Sequence, residues 1–198
     1  MKKLMGLAVA LALVAPLQAA ATMTVYTAVL NGPSEVSPNA SPGIGSATVT
    51  IDSGLSTMRV EESFSGLLGN VTASHIHCCT SVPETGTAGV ASMTPAFLGF
   101  PTGVTTGSYD HTFDMTLASS YNAPFITGHG GTVSSAFSAL VAGLNGGDAY
   151  VNIHTDSFPG GEIRGFLHAA PVPEPETYAM FMAGLGLMGF MARCRKTS

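Results

Sequence analysis

Apolar side chains recur at every second position through a series of short segments, and clusters of Gly, Pro, Ser and Thr separate those segments. Tyr26, Ala28 and Leu30 alternate with Thr27 and Val29, and Ala47, Val49 and Ile51 alternate with Thr48 and Thr50. Met58, Val60 and Phe64 share one side, with Arg59, Glu61 and Ser63 on the other. Tyr109, His111, Phe113, Met115 and Leu117 oppose Asp110, Thr112, Asp114 and Thr116. A period of two buries one face of a strand, so it favours sheet over helix bundle. Two further strands, Ala149–Thr155 and Glu162–His168, flank the turn Asp156–Gly161, and another carries His75. The expected architecture is all-β: an antiparallel sandwich or barrel of about seven to eight strands. One helix interrupts it, because Phe137, Leu140, Val141 and Leu144 fall at i, i+3, i+4 and i+7, with Gly143 read as its stop. The stretch Thr80–Gly107 has no period and reads as a long connection.

Both ends of the chain differ from this pattern. Lys2 and Lys3 precede the apolar run Leu4–Ala15, Pro16 breaks it, and Ala19-Ala20-Ala21 supplies a small-residue cleavage site. Residues 1–21 therefore read as a signal peptide, residues 22–171 as the folded domain and residues 172–198 as a tail. In the tail, Pro173-Glu174-Pro175 is followed by the apolar stretch Tyr178–Ala192 and then by Arg193, Arg195 and Lys196. Those fifteen residues make a helix of roughly 22 Å, short of a hydrocarbon core of about 30 Å. The basic cluster keeps its end cytoplasmic and leaves the domain outside. The Gly184–Gly189 match to G-x-G-x-x-G lacks the βαβ unit that a dinucleotide site needs. The order of motif, short helix and basic end resembles the PEP-CTERM sorting tail. That resemblance implies export by the secretion machinery, transient anchoring in the inner membrane, processing by an exosortase, and delivery to the cell surface or extracellular matrix.

Between the two ends Arg59 and Arg164 are the only cations against ten carboxylates, a net charge of −8. Nucleic-acid phosphates need basic patches, so nucleic-acid binding is excluded.

The chemistry-bearing residues cluster in two segments. Alternation sets His75 and His77 on one face with Val71 and Ala73, directed inward, and Cys78 on the other. In the late hairpin, a register that pairs Tyr150 with Phe166, Asn152 with Arg164 and His154 with Glu162 satisfies both faces. Asn152, His154, Glu162 and Arg164 then form a polar layer, whose expected role is structural because a buried guanidinium must be paired. His75 and His77 have the spacing of copper or zinc ligands, and a third donor could come from His154, Glu62 or Glu162. Glu62 falls on the apolar face of its strand. A copper site would also accept Cys78 or Cys79, which makes His75, His77, Cys78 and His154 the candidate metal set. Buried histidines ordinarily serve as hydrogen-bonded core, and that is the expectation for the fold itself. His111 is expected to pack on its apolar face and His129 to lie in a loop. For Cys78-Cys79 three states stay open in an exporting compartment: a bridge to each other, a bridge to another molecule, or metal thiolates. No Ser sits in a G-x-S-x-G elbow, and no hydrolase triad is readable.

Val71-Thr72-Ala73-Ser74-His75-Ile76-His77, Tyr150-Val151-Asn152-Ile153-His154-Thr155 and Phe158-Pro159-Gly160-Gly161-Glu162-Ile163-Arg164-Gly165 together resemble the CHRD domain, over roughly Thr24–His168. Cys78-Cys79 depart from that family's pattern, which usually has glycine after the second histidine. The resemblance implies a surface or matrix binding or structural module, with surface polysaccharide or other matrix proteins as partners. An extracytoplasmic copper- or zinc-binding protein is the alternative, and a metal-dependent redox enzyme ranks below it.

Overall fold

The computed structural model describes residues 23–171, 181–185 and 188. The elements are β1 (Met23–Asn31), β2 (Ile44–Asp52), β3 (Thr57–Ser65), β4 (Val71–His77), β5 (Gly107–Asp114), α1 (Ala123–Gly128), α2 (Val133–Gly146), β6 (Tyr150–Thr155), β7 (Ile163–Phe166) and β8 (His168–Ala169). All strand pairs are antiparallel, in the order β4-β6-β7-β1-β2-β3-β5, with β8 continuing beside β1. One sheet of eight strands curls on itself as a half-barrel.

The concave side holds the core. Leu30, Val49, Ile51, Met58, Val60, Ile76, Ile153, Ile163 and Leu167 are fully shielded there. The alternating residues of β1, β2, β3 and β5 supply it as the sequence period requires. Helix α2 adds Ala136, Leu140 and Leu144 to the same cluster. Its start is fixed by a reciprocal bond between Thr132 and Ser135, and its end by Gly147 in the left-handed region at φ 74°. Gly143, read as the stop, lies inside the helix; a Cβ there would strike both Cys78 Sγ and Cys79 Sγ. The short helix α1 has too little length to show a period, and the sequence reading missed it.

The aperiodic stretch between β4 and β5 runs along the open edge of β4. Phe97 and Gly103 donate to the carbonyls of Ser74 and Val71, and Ala91 donates to that of Ile76. An otherwise unpaired edge is satisfied this way, and the loop is brought over the outer face of the sheet.

Residues 1–22, which include the expected signal peptide, lie outside the described residues, as does most of the tail. Among the described residues no helix is long and apolar enough to cross a membrane.

Candidate metal centre and cleft

Strands β4 and β6 pair His75 with Asn152, His77 with Tyr150 and Ala73 with His154. Strands β6 and β7 pair Asn152 with Arg164 and Tyr150 with Phe166, as the two-face argument requires. A β-bulge between Val71 and Ala73 shifts the phase of β4. Val71, Ser74 and Ile76 enter the core, and the two histidines turn to the opposite face. The inward direction read from simple alternation is corrected by this bulge, although the covering loop leaves His75 buried.

On this outer face the rings of His75, His77 and His154 form a triangle with centroid separations of 5.9, 5.3 and 5.8 Å. Each ring has one nitrogen against a backbone carbonyl: His75 Nε2 to Pro95 at 2.6 Å, His77 Nδ1 to Ala88 at 3.0 Å, and His154 Nδ1 to Pro159 at 3.0 Å. A carbonyl only accepts, so each of these nitrogens carries the proton and the other has a bare lone pair. Those others, His75 Nδ1, His77 Nε2 and His154 Nε2, are buried without a hydrogen-bond partner. One donor nitrogen from each ring lies within 4.8 Å of the other two. Burial holds all three imidazoles below the ordinary histidine range, His77 down to about 4, so they are neutral at pH 7.

The other sequence-predicted residues separate from this triangle. Cys78 is bonded to Cys79 in a disulfide packed against Gly143 of α2, so its sulfur offers no thiolate. Glu62 lies on the core side, accepting from Ser74 Oγ at 2.9 and 3.1 Å. Glu162 leaves the expected polar layer and accepts from Ser41 Oγ, the amides of Leu68 and Gly69, and Thr155 Oγ1. Burial opposes its charge, but these four donors outweigh it and hold the carboxyl below its usual range. His111 packs edge-on against Phe113 at 4.6 Å, and His129 caps α1 beside Phe125.

Arg164 takes its carboxylate from the loop after β1. Glu35 Oε2 lies 4.0 Å from Arg164 Nε, which donates to the Ser34 carbonyl, while Nη1 donates to that of Gly86. The guanidinium also sits over the rings of Tyr150 and Phe166, at 4.8 and 5.4 Å from their centroids. Burial pushes the Glu35 carboxyl up to about 7, against the pull of Arg164 and Asn152. Sequence reading missed Glu35; its loop has no period, and its tie to Arg164 spans 129 positions.

Above this layer opens a cleft of about 570 Å³, lined by Glu35, Asn39, His77, Asn152, Phe158 and Arg164 among others. Glu35 Oε1 and Asn152 Oδ1 are buried in its wall without a partner, like the three ring nitrogens.

An antiparallel half-barrel with a polar, histidine-bearing outer face is thus the class of domain that the fold and site define. The chain belongs to the CHRD domain family, whose model matches residues 26–167. Residues 171–196 match the PEP-CTERM protein-sorting motif, which makes this an exported protein sorted through an exosortase. No curated protein and no solved structure matches the chain.

Proposed function

We propose that this protein is an extracytoplasmic metal-binding module, carried to the cell surface or matrix by its sorting tail, with copper or zinc held by His75, His77 and His154. The observation that carries the reading is the set of three partnerless ring nitrogens. A carbonyl bond to one nitrogen is common to structural histidines and to metal ligands, where it fixes the tautomer. Only the second nitrogen separates the two cases. A structural layer would bond it to the protein; here three neutral lone pairs are buried together, which costs free energy unless a cation or another hydrogen-bond donor takes them up.

The distances suit this role. One nitrogen of each ring lies within 4.8 Å of one in the other two; an equilateral triangle of that side has its centre about 2.8 Å from each corner, so those nitrogens close by about 0.7 Å to reach the usual 2.0–2.1 Å. Imidazole alone favours copper or zinc over calcium or magnesium, which take oxygen ligands. Three protein ligands leave a coordination position free, as in catalytic rather than closed structural sites.

Metal titration of the exported protein tests the reading. Copper or zinc should bind stoichiometrically with a Kd of roughly micromolar or tighter. Replacing His75 and His77 together with Gln should abolish uptake while circular dichroism shows the fold retained. Absence of stoichiometric binding, or binding that survives the double replacement, refutes it.

A further inference from the structure

The partnerless atoms do not end at the histidines. Among the described residues six buried side-chain atoms lack a hydrogen-bond partner, and five lie in this one region: the three ring nitrogens, Glu35 Oε1 and Asn152 Oδ1. Glu35 is 8 % exposed and Asn152 3 %, and both line the cleft. Gly161 keeps the space beside them open: a Cβ there would fall on the Asn152 amide and within 2.7 Å of Glu35 Oε1.

Charge narrows the occupant. The domain is strongly acidic, and its other cation, Arg59, is occupied by Asp110 and Glu61 far along the sheet. Arg164 places a fixed positive charge in the cleft wall, and its field already opposes protonation of His77. A divalent ion on the histidines would add to it. One end of the ligand is therefore anionic. At the other end Asn152 Oδ1 only accepts, and Glu35 Oε1 accepts in the ionised form that its pairing with Arg164 favours, so in that form the ligand must bring donors. Phosphate or sulfate satisfies the first requirement and fails the second, because it would set more acceptors against these oxygens. An ammonium donor would meet repulsion from both Arg164 and the ion. A hydroxyl donates without charge.

We infer that the cleft takes a hydroxylated carboxylate, either a uronic-acid unit of an acidic polysaccharide or a free hydroxy acid. Its carboxylate lies toward Arg164 and the free coordination position, and its hydroxyls lie on Glu35 Oε1 and Asn152 Oδ1. This rests on the metal reading above for one of its two anion contacts. A volume of about 570 Å³ is within the range of small-molecule sites, and the cleft is open rather than enclosed, which admits a unit within a longer chain.

Calorimetric titration of the zinc-loaded exported protein with D-galacturonate, D-galactose, acetate and glycine tests the inference, with zinc stoichiometry measured separately. Galacturonate should bind about tenfold or more tighter than each of the other three, because only it satisfies both ends. Glu35→Ala should remove most of that advantage. In the unaltered protein the side-chain amide protons of Asn152 should shift on adding galacturonate, a readout that does not depend on any variant folding. Tighter binding of oligogalacturonate than of the monomer identifies the polymer as source; equal binding identifies the free acid. Galactose or glycine binding as well as galacturonate overturns the inference, and so does an absence of galacturonate binding to protein that holds its zinc. If neither zinc nor galacturonate binds, the metal reading falls with it.

Discussion

Replacing Glu62 with Gln should abolish the pH dependence that this residue gives the fold. Glu62 lies between Val60 and Phe64 on the core face of β3, 3 % exposed, with Ser74 Oγ as its hydrogen-bond partner. Burial, opposed by that bond, pushes its carboxyl up to about 8 from an ordinary value of 4.5. The folded state therefore keeps a proton that the unfolded state releases between those two values. Stability from this group is complete below about pH 4.5 and is lost as pH rises through about 8. At about 1.4 kcal/mol per pH unit, an interval of roughly 3.5 units amounts to about 5 kcal/mol between acid and alkaline conditions. Gln has nearly the same shape, still accepts from Ser74 and does not titrate. Urea unfolding of both proteins in chelator at pH 5, 7 and 9 measures the difference, and the subtraction cancels the groups common to both. The two should be within about 1 kcal/mol at pH 5, with the Gln variant several kcal/mol more stable at pH 9. Parallel stability curves across that range would show that Glu62 ionises in place, and the reasoning would fail.

Arg164→Ala removes two bonds to backbone carbonyls and two ring contacts, and leaves Glu35 buried without its cation. Denaturant unfolding should show a loss of about 3–5 kcal/mol; a loss under about 1 would deny the pairing any energetic role. Gly165→Ala sets a Cβ against the Val29 carbonyl, a backbone atom that cannot swing aside, so a lowered melting temperature is expected, and an unchanged one refutes the close approach. The mature extracellular protein should lack Thr177–Ser198, and an intact mass that still includes the tail contradicts the processing expected of the Pro173-Glu174-Pro175 motif.

Much of this protein was legible one residue at a time. Alternation placed Tyr26, Ala28 and Leu30, or Ala47, Val49 and Ile51, on buried faces, because a strand's side chains change sides at every step. The same rule set Asn152 opposite Arg164 and Tyr150 opposite Phe166, since a hairpin slipped by one residue would expose its apolar set. It also kept His75 and His77 on a common face. What alternation cannot express is a break in its own period or a contact made by a segment that has none. The bulge after Val71 reversed which face the two histidines share. Glu35 reached Arg164, and Pro95, Ala88 and Pro159 reached the three rings, from loops whose sequence has no periodicity to show where they close. Glu162, read as the first residue of a strand that in the structure begins at Ile163, left its layer for four donors at the end of the core. The strands were thus determined by local chemistry; that His154, and not Glu62, Glu162 or Cys78, lies beside His75 and His77 was decided by the loops and by the disulfide, because only packing in three dimensions decides which polar atoms are left unpaired.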